Sequence, residues 1–272
     1  MINLNPFFVF FALLLPRSLF AHDFWLEPSS YYCEIDQAVS INLRVGEGFH
    51  GKAVARDPKQ IVKFEEVFDQ LHNDVQGLDY QSPAGYTRFN EAGIHVVGFR
   101  SNNNRIKLSA EKFNSYLLEE GLTSIIEQRE KSATIHKSAK ELYSRSAKTI
   151  ISVGKFNDAK NFNTILGYDL ELVPTKNPIL PAKSLPIKVL VHGRPQKNLL
   201  VSALLKGSAG TVQQKRTNQD GLVEFDTSLS GNWLIKTVYM FPAEQDQGAD
   251  WQSIWGSLTF ETVADEAATE GS

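Results

Sequence analysis

Between residues 38 and 45 apolar and polar positions alternate, with Val39, Ile41, Leu43 and Val45 set against Ser40, Asn42 and Arg44. A period of two predicts a half-buried strand, ended by Gly46-Glu47-Gly48. Phe49-His50-Gly51-Lys52 reads as a loop after it, and residues 61–68 read as a further strand. Turn residues Pro83, Ala84 and Gly85 interrupt 80–89. The clearest strand of this half is Gly93 to Ser101, closed by the Asn102-Asn103-Asn104 turn.

From Ser109 the period becomes helical. Ser109 is placed to cap a helix carrying Phe113, Tyr116, Leu117, Leu122, Ile125 and Ile126, broken at Gly121. A second helix is predicted over 138–152, with Leu142, Tyr143, Ala147, Ile150 and Ile151 on its apolar side. Beyond Leu166 short strands return at 168–173, 185–191, 199–205, 211–216, 222–225, 233–240 and 257–262, separated by turns such as Gly193-Arg194-Pro195 and Asn218-Gln219-Asp220-Gly221. Such spacing predicts an antiparallel sandwich. The expected fold is mainly β, two antiparallel β-sandwich-like parts with a two-helix insert. Its divisions are 1–21, a signal peptide; 22–108, an N-terminal β domain; 109–155, the helical insert; 165–262, a second sandwich; and 263–272, a small acidic tail expected to be disordered.

Composition narrows the function classes. A net charge of −3 over 272 residues, with 22% charged residues, gives no basic surface for nucleic acid. The apolar run Phe7 to Leu15 is too short to span a bilayer and suits the centre of a secretory signal. A cut after Ala21 makes the mature chain begin at His22, in a periplasmic, released protein. An amino-terminal histidine offers an amine and an imidazole on one stem, a chelate that no internal histidine has. Phe24, Trp25 and Leu26 follow, bulky enough to pin the chain end against a sheet. The single cysteine, Cys33, makes no internal disulfide and reads as a small buried hydrophobe.

Several segments together resemble an exported bacterial family, domain of unknown function 4198. They are His22 to Pro28, Arg44 to Phe49, Lys112 to Leu117 with Glu120-Gly121-Leu122, Leu170 to Pro174, and Trp251 to Phe260. The resemblance implies a periplasmic metal-handling role connected with nickel uptake. Residues 191–195, 217–221 and 231–233 are also similar to carboxypeptidase-regulatory-like or transthyretin-like sandwiches. By the first resemblance a histidine follows the Gly-x-Trp turn, whereas this chain carries Tyr239 there.

The expected metal ligands are His22, through amine and imidazole, with His95 or His50 completing the set for Ni²⁺, Co²⁺ or Cu²⁺. His95 lies on a strand apolar on both faces, so the competing reading is a core histidine bonded to a backbone carbonyl. His50 sits among glycines in a loop, and His72, His136 and His192 read as surface residues. No His-x-x-x-His or paired-cysteine spacing occurs. No nucleophile elbow marks a hydrolase, and neighbours such as Glu65-Glu66 and Glu119-Glu120 face different sides of their element, so no enzyme activity is expected. The expected function is transition-metal binding or uptake accessory, with a membrane metal transporter as partner. The alternatives are a metal-free sandwich binding carbohydrate or envelope components through Trp251 and Trp255, or a histidine-brace copper oxidase.

Overall fold

The computed structural model describes residues 22–155, 160–208 and 212–263. The expected signal peptide and acidic tail lie outside the described residues, apart from Val263. The N-terminal strands are β1 (Asp23–Pro28), β2 (Tyr32–Cys33), β3 (Ala38–Glu47), β4 (His50–Val54), β5 (Ile61–Phe68), β6 (Leu71–Asp74), β7 (Gly85–Arg88), β8 (Gly93–Ser101) and β9 (Asn104–Leu108). Helices α1 (Ala110–Glu119) and α2 (Thr123–Lys131) come next, then β10 (Ala139–Val153). The remaining strands are β11 (Leu170–Pro174), β12 (Leu185–Val191), β13 (Arg194–Pro195), β14 (Leu200–Leu205), β15 (Val212–Arg216), β16 (Leu222–Phe225), β17 (Gly231–Pro242) and β18 (Trp251–Thr262).

Three sheets form, mainly β as the alternation predicts. The first runs β1-β3-β4, with β7 beside the first part of β3. The second has ten strands, ordered β15-β14-β17-β18-β10-β8-β5-β6, with β2 and β9 also on β10. The third runs β11-β12-β13, with β16 on β12. The first sheet packs on the N-terminal part of the ten-stranded sheet through Leu26, Ile41, Val97 and Ile151. The third packs on its C-terminal part, where Leu185, Ile187 and Val189 of β12 meet Trp233 and Ile235 of β17. The two sandwiches therefore share one sheet.

Two expectations are corrected. The second helix is α2, and residues 139–153 form the long strand β10. Its apolar spacing fits a helix as well as a strand, but the β-branched run Thr149-Ile150-Ile151 favours extension, and partners on both edges decide it. β10 pairs in parallel with β18 over Glu141–Thr149 and antiparallel with β9 and β8 on the other edge. Pairing of residues some 110 positions apart, Glu141 with Trp251, leaves no trace in a local window. The expected loop 49–52 is a tight hairpin: Gly48 and Phe49 turn with φ of +59° and +65°, and His50 begins β4 opposite Glu47. Phe49 holds a conformation that side chains disfavour because its ring is buried 5.5 Å from Trp25, edge to face. Other local signals hold: Ser109 Oγ accepts the amide of Lys112, and Gly121 separates the helices at φ +64°.

Candidate functional site

β1 is buried on both faces because it is shared by two packing layers. Phe24 and Leu26 enter the core beneath the first sheet. Trp25, on the opposite side, packs with Phe49, Leu204 and Leu234, so it joins the β3–β4 hairpin to β14 and β17. Asp23 and Glu27 flank it on the same side. Glu27 pairs with Lys206 and Arg44, and Asp23 Oδ1 lies 2.5 Å from Lys236 Nζ.

Lys236 also lies 3.0 Å from Glu120 Oε1, at the C-cap of α1. Two acids thus share one lysine where β1, α1 and β17 meet. Burial works against the lysine's charge, but Glu120 and Asp23 outweigh it and hold Lys236 above the ordinary range. Burial raises both Asp23 and Glu120, despite the lysine, and Asp23 adds to the rise at Glu120. The lysine keeps its proton while the two acids compete for its charge.

A cleft of about 480 Å³ opens over these groups, lined by Asp23, Glu47, Glu119, Glu120, Gln214 and Lys236 among others. Four carboxylates against one lysine give it a negative potential. Glu47 and Glu119 have no side-chain hydrogen bond or ion pair among the described residues.

Of the expected ligands, His22 and His50 lie at this end of the first sheet. Asp23 pairs in register with Gly46, and Glu47 pairs with His50. One residue further along that register sets His22 across from Glu47. His22 is half-buried, and its Nδ1 is shielded from solvent without a hydrogen-bond partner. His50 is exposed. His95 is engaged elsewhere: Nδ1 lies 2.6 Å from Glu66 Oε1, Nε2 donates to the Glu91 carbonyl at 3.0 Å, and Phe68 stacks on the ring at 4.2 Å. Among the described residues no three His, Cys, Asp or Glu side chains form a group ready to hold a metal ion.

Lys236 and Glu120 escape the sequence reading. A lone lysine in the apolar run Trp233 to Met240 is the available signal, but its partner Asp23 lies 213 residues away. Neighbouring acids do face apart as expected, Glu65 meeting His72 and Tyr168 while Glu66 meets His95 and Asn73. Cys33 is buried, and burial pushes its thiol up to about 11. All four tryptophans are buried, Trp251 at 8% and Trp255 at 7% exposure, which removes the aromatic platform of the carbohydrate reading. No described helix is long and apolar enough to cross a membrane.

Behind the helices lies a second buried acid. Glu141 accepts from Tyr116 Oη at 3.1 Å and from Ser253 Oγ, while Oε2 is buried without a partner. Burial pushes its carboxyl from an ordinary 4.5 up to about 7. The folded chain therefore binds a proton that the unfolded chain has already released, and stability is lost as pH rises from about 4.5 to about 7. At ~1.4 kcal/mol per pH unit the loss is on the order of 2–3 kcal/mol. Urea denaturation between these limits should show that loss as the difference between the native chain and Glu141→Gln, whose slope should be shallower by that amount, the raised Asp23 and Glu120 leaving a remainder of the same sign.

The family model described as "Domain of unknown function (DUF4198)" matches residues 19–240. No curated protein matches the chain. Among solved structures it is similar to the D0-D1 domain of intimin, at 11% identity over 88% of this chain and 98% of that one, with a TM-score of 0.21, too low to compare folds.

Proposed function

The chain belongs to the family of domain of unknown function 4198, and from that premise we propose that it is an exported periplasmic protein that binds a divalent transition metal, nickel, cobalt or copper, as cargo at a mature amino terminus created by a cut after Ala21. The observation that supports this reading most is the register that gathers His22, Glu47 and His50 at the open end of one sheet, beside an acidic cleft. Three side chains need not be preassembled there, because the new amine of His22 supplies one donor and its imidazole a second. The unpaired carboxylate of Glu47 and the exposed imidazole of His50 complete a nitrogen-rich set, the kind preferred by nickel and copper. The buried, partnerless Nδ1 of His22 fits a donor awaiting a ligand. His95, engaged on both nitrogens, has no part in it.

Mass spectrometry of the exported protein should find His22 first, and calorimetric titration with Ni²⁺ or Cu²⁺ should give one site. His22→Ala should lower affinity at least ~100-fold, beyond the roughly 10–100-fold expected of a residue that only orients a ligand. Glu47→Gln should lower it less than His22→Ala does, because the amide oxygen remains as a weaker, neutral donor. Affinity should also weaken as pH drops below about 7.7–8.0, where protons compete for the amine. A mature chain beginning at Asp23 or later, or unchanged affinity in His22→Ala, rejects the reading.

A further inference from the structure

A second cavity, of about 290 Å³, lies between the β3–β4 hairpin and β5, β8 and β10. Its walls are apolar in large part, including Phe24, Leu43, Ile61 and Phe99. Into it reaches Arg145, whose guanidinium carbon is 4.9 Å from the ring centroid of Phe24 and 5.2 Å from that of Tyr143. Rings attract the flat face of a guanidinium and leave the N–H groups at its edge free. Among the described residues no hydrogen bond or ion pair reaches that side chain, although its backbone amide is held by Ser101 Oγ at 2.9 Å. Burial pulls Arg145 below its ordinary pKa, and Tyr143 opposes that pull only in part.

Two further groups in the cavity indicate the partner. Gln60 Oε1 is buried without a donor. Asp57 also lines the cavity but makes no ion pair with Arg145, and it disfavours a multiply charged anion such as phosphate. We infer that this cavity binds a small organic carboxylate with an apolar body and a hydroxyl or amino donor, its carboxylate forked on Arg145 and its donor turned to Gln60. A planar guanidinium takes both oxygens of a carboxylate at once, and the surrounding rings exclude water from the pair.

The probe is 3-phenyllactate, titrated into the mature full-length chain in EDTA so that metal plays no part, and followed by ligand-observed NMR. Saturable binding is expected below about 10 mM. Arg145→Gln should weaken it at least ~10-fold, since a charge-assisted bidentate pair is lost. Val54→Trp, which fills the cavity while keeping Arg145, should do the same, and circular dichroism should show both variants folded. 3-Phenylpropanol, lacking the carboxylate, should not bind. No saturation with the native chain, equal affinity in Arg145→Gln, or displacement by equimolar inorganic phosphate overturns the inference.

Discussion

Lys236→Ala should destabilise the protein by about 3–5 kcal/mol at pH 8, as removal of one member of a buried ionic group usually does. Asp23 is 5% exposed and Glu120's side chain 13%, so neither regains full hydration when the lysine goes. Both carboxyls are already raised by burial, and losing Lys236 raises them further. A group whose folded pKa is raised has its full stability below its unfolded pKa and loses it as pH rises through the folded one. The deficit of Lys236→Ala should therefore shrink toward pH 4 and grow toward pH 8. Urea midpoints across that window measure it. Adding Asp23→Asn and Glu120→Gln should restore most of the loss, because no unpaired charge then remains. A deficit independent of pH would assign the loss to the lysine's aliphatic stem.

That ionic group marks the boundary of what the sequence discloses. Period-two alternation is local, so β3, β5 and β8 are readable, as are the Ser109 cap and the Gly121 break. β10 reads as a helix because its apolar positions satisfy both periods and its decisive partners, β8, β9 and β18, are distant. At the site, His22 and Asp23 stand out through their position after the expected cut. The proximity of Glu47 to His50 follows only once Gly48-Phe49 is known to be a two-residue turn. Lys236 and Glu120 join Asp23 through packing of β17 and α1 against β1, for which no local pattern exists. His95 shows the converse: a histidine between apolar neighbours is readable as a core residue, and the acid that binds it, Glu66, sits on the adjacent strand β5.

Trp25→Ala should cost about 3–5 kcal/mol, the usual range for truncating a fully buried aromatic residue. Trp25 is 1% exposed and is the one residue of β1 in the cluster that ties the hairpin to β14 and β17. Its ring fits because Gly51 has no side chain; a Cβ there would stand 2.6 Å from the indole and 2.5 Å from the Val45 carbonyl oxygen. Gly51→Ala should accordingly destabilise by about 1–3 kcal/mol through overpacking. The indole Nε1 is buried without a partner, which offsets part of the stabilisation, so Trp25→Phe should lose far less than Trp25→Ala. Because Trp25 sits between the Asp23–Lys236 and Glu27–Lys206 pairs, its loss should let β1 lift from β17 and loosen both. Lys236→Ala should then add less in a Trp25→Ala background than alone, a non-additivity that a double-mutant cycle reads directly. On the proposed metal-binding reading, the same lifting should also weaken Ni²⁺ binding, although Trp25 offers the metal no donor, because β1 is what positions His22. Full additivity of the two substitutions, with metal affinity untouched, would separate the tryptophan anchor from the site.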